Sequence, residues 1–195
     1  MAASTDRRTQ YTRMVLKDAF LELIGKGGWR RLSVTLLCKK AGVARATFYL
    51  HYRSLDDVLS DVLDDAFRVR EGDGETLCTQ LARTLAAGPL TEESFLPLCQ
   101  RAADDPKYRP LFLDEDLTRP LLAFLYDRAK DPMVPYIMTA AGLSRGEAEL
   151  LFRFLLCGSF AVNAALGWEQ NDRWRAVQGT VLRFKAGGLA ALKRK

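Results

Sequence analysis

Four polar side chains within seven positions, Arg45, Thr47, Tyr49 and His51, set the chemistry most open to this chain. Each can donate a hydrogen bond. The forked guanidinium of Arg45 suits a guanine edge or a phosphate. Thr47 can donate to a phosphate or touch a thymine methyl group, and the Tyr49 hydroxyl and His51 imidazole can reach phosphate oxygens. Ala46, between them, is small enough to let a backbone approach a duplex closely. Catalysis lacks its parts. His51 is the single histidine, and no nucleophile, base and orienting group come together, so no catalytic residues are expected. The carboxylates of Asp104, Asp105, Asp114 and Asp116 precede helices or loops, where capping is their expected role. The four cysteines, Cys38, Cys78, Cys99 and Cys157, form no Cys-x-x-Cys pair. No metal site and no cofactor are therefore expected, and the thiols read as reduced and buried. Cys38 lies beside the polar set, so its oxidation would disturb that set only if the thiol were accessible.

The elements that position these residues follow from local pattern. Leu16, Ala19, Phe20, Leu23 and Ile24 make one apolar stripe, which predicts a helix over 8–25 that ends at Gly25, Gly27 and Gly28. Ser33 caps a short helix over 34–41, Gly42 breaks it, and a third helix runs over 44–52. Leu37, Ala41, Val43 and Phe48 are placed to close a small core, with Cys38 as the small residue where the helices cross. Phe48 and Tyr52 read as packing residues. Ser54, with Asp57 three residues on, caps a fourth helix reaching about residue 70. Residues 71–75 break the pattern. Further helices are predicted over 76–87, from 91 to about 104, over 117–130, over 133–141, over 147–166 behind the Ser144–Glu147 capping box, and over 171–190. No strand alternation is present, so the class is all-α.

Charge separates the ends of the chain. Residues 1–53 carry eleven Lys and Arg against three Asp and Glu, whereas the rest carry eighteen against twenty-one. A basic head on a mildly acidic body favours a polyanion for the head. The run Ala41-Gly42-Val43, followed by Thr47-Phe48-Tyr49 and His51-Tyr52, resembles the signature of the TetR/AcrR family of bacterial regulators, over residues 10–60. The resemblance implies a three-helix DNA-binding domain with a helix-turn-helix over residues 1–55. A helical bundle over 56–195 would then serve ligand binding and dimerisation. It places Thr35, Arg45, Ala46, Thr47, Tyr49 and His51 against double-stranded DNA at a palindromic operator read by a homodimer. Many members carry a lysine just after the cap of the fourth helix. Here Leu55 stands there, followed by Asp56 and Asp57, and Arg53 is the expected substitute for that phosphate contact, helped by Arg7, Arg8 and Arg13 as a basic arm.

The expected function is a sequence-specific transcription regulator, a repressor released by a small-molecule effector. The alternative is an activator, or a regulator gated by a partner protein with no such effector. The expected ligand-lining residues are Phe95, Cys99, Phe112, Phe124, Tyr126, Tyr136, Met138 and Phe152, aromatic or soft groups on the middle helices. Few basic groups accompany them, so the ligand is expected to be apolar. Gly158, Ala161 and Ala165 permit close approach of another helix, and Trp168, Trp174, Val177, Val181 and Phe184 extend an apolar surface for a twofold partner. No run approaches the roughly 20 consecutive apolar residues of a membrane span, and Met1–Arg13 carry no apolar leader core, so the cytoplasm is the expected location.

Overall fold

The structure, a computed structural model, describes residues 2–67 and 98–193. Among the described residues every regular element is helical. In chain order they are α1 (Ala2–Gly27), a 3₁₀ turn (Trp29–Arg31), α2 (Val34–Ala41), α3 (Arg45–His51), α4 (Leu55–Ala66), α5 (Leu98–Asp104), α6 (Arg109–Leu113), a second 3₁₀ turn (Glu115–Leu117), α7 (Thr118–Ala141), α8 (Arg145–Ala165) and α9 (Asp172–Leu192). The helix expected over 76–87 and the break at 71–75 lie outside the described residues.

The chain divides into two compact units. The first comprises residues 1–66 and 105–118, so it continues through α4, past residue 55 where the sequence reading divides head from body, and takes in a second segment of chain. In it α1 packs against α2, α4 and α6. Leu16, Phe20 and Ile24 of α1, Leu37 of α2, Phe48 of α3, Val58 and Val62 of α4 and Leu111 of α6 are all buried. The segment 105–118 is tied down by polar contacts. The Trp29 backbone N–H donates to Asp114 Oδ2 at 2.6 Å, Arg30 pairs with Asp116 at 2.9 Å, and Lys107 pairs with Asp18 at 2.9 Å. Asp114 also accepts from the Asp116 N–H at 3.0 Å, the capping role expected of it.

The second unit holds α5, most of α7, α8 and α9. Its core gathers Tyr126, Ala129, Val134, Ile137 and Ala141 of α7, Ala148 and Phe152 of α8, and Leu189 of α9. The two helices expected over 117–130 and 133–141 are one helix, with Pro132 and Pro135 inside it. A proline inside a helix costs about 3 kcal/mol or more. Burying a Val or Ile side chain contributes about 1.5–3 kcal/mol. With Val134 and Ile137 both buried just beyond Pro132, the opposing effects are of one order, and the breaker does not decide. A polar centre accompanies the apolar core. Buried Asn163 accepts from Trp174 Nε1 at 2.8 Å and Gln178 Nε2 at 3.0 Å while its own amide donates to the Ser159 carbonyl at 2.9 Å. Trp168, at φ 58°, takes a left-handed conformation that costs a non-glycine residue about 1–2 kcal/mol. The Gln100 amide donating to its carbonyl at 3.0 Å and the Phe160 ring 4.9 Å away hold it there. Trp168 and Trp174 are thus core residues of this unit, not the surface they were expected to extend.

Candidate nucleic-acid interface

The geometry of the basic head is built from local signals. Ser33 accepts from the Leu36 N–H at 3.2 Å and starts α2. Its end is a Schellman closure: the Val43 N–H reaches the Cys38 carbonyl at 3.0 Å and the Gly42 N–H the Lys39 carbonyl at 3.4 Å. Gly42 sits at φ 66°, the left-handed region that glycine enters without a Cβ penalty. α3 then leaves in a new direction after Ala44, whose backbone is extended.

Orientation of α3 is fixed by what it buries. Phe48 is fully buried, Cys38 and Tyr52 nearly so, and the Phe48 and Tyr52 rings lie 5.9 Å apart. Ala41 and Val43, expected in the same small core, are only half-buried. The Tyr52 hydroxyl donates to Asp61 Oδ2 of α4 at 2.5 Å. Arg13 of α1 pairs with the same carboxylate at 2.9 Å, and Lys17 bridges to Asp61 at 3.6 Å and to Asp65. Burial works against the charge on Asp61, but the Tyr52 hydroxyl, Lys17 and Arg13 outweigh it and hold its carboxyl below the usual range. Burial and the Asp61 hydrogen bond push the Tyr52 hydroxyl up, so it stays protonated and can donate. This network ties the end of α3 to α1 and α4.

With Phe48 and Tyr52 turned in, the opposite side of α3 is left to solvent. Ala46 and Tyr49 are exposed there, Arg45 is exposed at the first residue of the helix and Thr35 on α2, while Thr47 and His51 are half-buried at the flanks. Leu50, which the periodicity of apolar residues gave no reason to place outside, is 81% exposed. Arg53 has a carboxylate partner. Its backbone N–H and Nε donate to Asp57 Oδ2 at 2.9 and 3.0 Å, and Nη2 donates to Oδ1 at 3.2 Å. Asp57 completes the cap of α4 by accepting from Arg53, while its own N–H donates to Ser54 at 3.2 Å. A phosphate at this corner has to compete with Asp57 for the guanidinium. Arg13 is likewise engaged by Asp61, and Arg7 and Arg8 are exposed on helical α1, not on an extended arm. Burial raises the Cys38 thiol above its usual value against the opposing charge of Arg45, so it packs as a thiol and not as a thiolate.

A model of the bacterial regulatory proteins of the tetR family matches residues 16–62. Over these residues the chain is similar to that family. The match runs from the buried stripe of α1 to the buried Val62 of α4, so it contains the turn at Gly42 and every outward residue of α3. The match indicates a DNA-binding transcriptional regulator with its helix-turn-helix in the head, and every regular element among the described residues is helical. No curated protein matches the chain.

The expected ligand-lining residues do not gather in one place. Tyr126 stacks on Phe152 at 5.3 Å with the Arg153 guanidinium 3.7 Å from the Tyr126 ring centre, and Tyr136 and Met138 pack against the same cluster. Phe124 stacks instead on Phe67 at 5.7 Å. Cys99 is buried in α5, its thiol pushed up to about 12 by burial despite the nearby charge of Lys185. Phe112 is buried in α6, within the first unit. Phe95 lies outside the described residues. The expectation of few basic groups meets an exception in Lys185, half-buried, with Nζ donating to Ser159 at 2.6 Å. Burial lowers its pKa.

Proposed function

We propose that this chain is a TetR-family regulator, a homodimeric repressor that reads a palindromic operator and is released by a small molecule bound in the second unit. The observation that carries the DNA reading is the inward burial of Phe48, which leaves Ala46 and Tyr49 on the outer face of α3, with Arg45 exposed at its first residue. Helices of this kind place their N-terminal residues against base edges in the major groove, and dimers span half-sites about 34–36 Å apart. Thr35, Thr47 and His51 sit at the flanks of that face, where phosphate contacts position a protein, and Arg53 joins them once a phosphate displaces Asp57.

Dimerisation is supported by α8 and α9. Leu150 is 70% exposed, Phe154 61% and Phe184 66%, and a Cβ added at Gly158, Gly187 or Gly188 would meet nothing within 4 Å. By length and composition α8 is apolar enough to cross a bilayer, with an 18-residue window of mean hydropathy 1.4, which the count of consecutive apolar residues did not register. Only 22% of that window is buried within one chain. A second copy related by a twofold axis covers such a face on both chains at once. The Tyr126–Phe152 cluster supports an apolar effector, and the chain crosses between the units at 66/67, 104/105 and 118/119, three covalent routes by which its binding can bias the head.

The test is a footprint on duplex DNA selected from a random pool, repeated with a panel of uncharged aromatic compounds. Two protected half-sites about one helical turn apart, lost on adding a compound, are expected. A protein that selects no sequence ends the proposal. Protection that no compound relieves, with transcription raised by the protein, favours the activator or partner-gated reading.

A further inference from the structure

The outer pole of α3 is apolar. An α-helix turns about 100° per residue, so Ala46 and Leu50, two positions either side of buried Phe48, each lie within roughly 20° of the direction opposite to it. Tyr49 lies about 80° from that pole on one side and Thr47 about 80° on the other, with Arg45 and His51 further round toward the buried side. Ala46 is exposed and Leu50 is 81% exposed, more than any other large apolar side chain among the described residues. A lone exposed leucine is ordinary on a protein surface. This one stands at the point of α3 that goes deepest when the helix enters a groove.

We infer that Leu50, with Ala46 making room beside it, reads thymine by packing on its 5-methyl group in the major groove. This rests on the DNA-binding reading above. The chemistry admits few alternatives. The thymine methyl is the apolar group on the major-groove edges, and the other edge groups are hydrogen-bond donors or acceptors that a leucine would strip of water without replacing the bond. Leu50 therefore favours thymine and disfavours cytosine at the same position. Ala46 adds no side chain beyond its methyl group, so the helix backbone can come close enough for a side chain of leucine's length to reach the base. The neighbours Thr47 and His51 hold register on the phosphates.

The experiment uses the full-length chain and its L50A variant. Each selects duplexes from a random pool, and each is then titrated against the wild-type consensus with single thymines replaced by deoxyuridine. That replacement deletes the methyl group and leaves base pairing intact. The wild-type protein is expected to select a thymine that L50A no longer prefers, with the other selected positions unchanged. Deoxyuridine there weakens the wild-type protein roughly fourfold per half-site, the value of one buried methyl-sized group, and leaves L50A unchanged. Leu50 is mostly exposed in the fold, so L50A is expected to keep the wild-type circular dichroism. An L50A protein that selects the same consensus and responds to deoxyuridine like the wild type overturns the assignment of Leu50 while leaving DNA binding intact. A wild-type protein that selects nothing removes both.

Discussion

At position 45 the side chain is exposed at the first residue of α3, where a groove-entering helix makes base contacts. Arg45→Ala is expected to cost about 1–3 kcal/mol of operator binding if it grips a guanine, with relaxed preference at one base pair. Titration against operators varied at each position checks this. A uniform loss across all sequences, with a shallower salt dependence, would make Arg45 a phosphate contact instead. Position 42 acts through the backbone. A Cβ there would touch nothing within 4 Å, so substitution is resisted by torsion alone, at φ 66°. A left-handed residue other than glycine costs about 1–2 kcal/mol, and a β-branched one more. Gly42→Val should therefore re-aim α3 and abolish operator binding while the oligomeric state, measured by sedimentation, is unchanged.

At the scale of elements, α2 and α3 were legible because their signals are local. Ser33 and Gly42 lie within a residue of the ends they set, and Phe48 falls on the stripe that must be buried. The tie between the first 3₁₀ turn and the segment 105–118 was not, because the Trp29–Asp114 bond joins residues 85 positions apart and no periodicity encodes it. Trp168 and Trp174 were misplaced for a related reason. Their burial depends on Asn163 and Gln100, polar residues that a pattern of apolar positions passes over. Asp114→Ala removes the acceptor of the part-buried Trp29 N–H, and the head should lose about 1–3 kcal/mol of stability in urea denaturation. An unchanged midpoint would show that water replaces the bond. The α1–α3–α4 network has a pH signature. Asp61 titrates below its unfolded value of ~3.9, so its contribution is complete above that value and is lost as pH falls through the lower, folded one. Denaturation midpoints measured from pH 6 to pH 2 should fall less steeply for Asp61→Asn than for the native chain, and the variant should be the weaker of the two at pH 6.

For the whole molecule, the question is how one small head reaches useful affinity. α3 has seven residues, and six of the head's eleven basic side chains, Arg13, Lys17, Lys26, Arg30, Lys40 and Arg53, are paired with carboxylates. A single head therefore offers few groups to neutralise phosphates, and its binding should be weak. In the proposed homodimer, two heads turn the second contact into an intramolecular event, raising avidity by about 10²–10⁴ when the spacing matches the half-sites. On that proposal the surface that joins the copies is as important to DNA binding as α3 itself. Phe154 and Phe184 are 61% and 66% exposed, so replacing both with aspartate disturbs little packing within one chain. It places four buried carboxylates in a twofold interface, which desolvation forbids. The double variant is expected to sediment as a monomer with native helix content, to bind operator about 10²–10⁴ times more weakly, and to show about half the salt slope, because half the phosphates are neutralised per binding event. A double variant that remains dimeric would move the interface away from these helices. One that is monomeric yet binds operator with full affinity would mean that a single head suffices, and the palindrome would lose its physical reason.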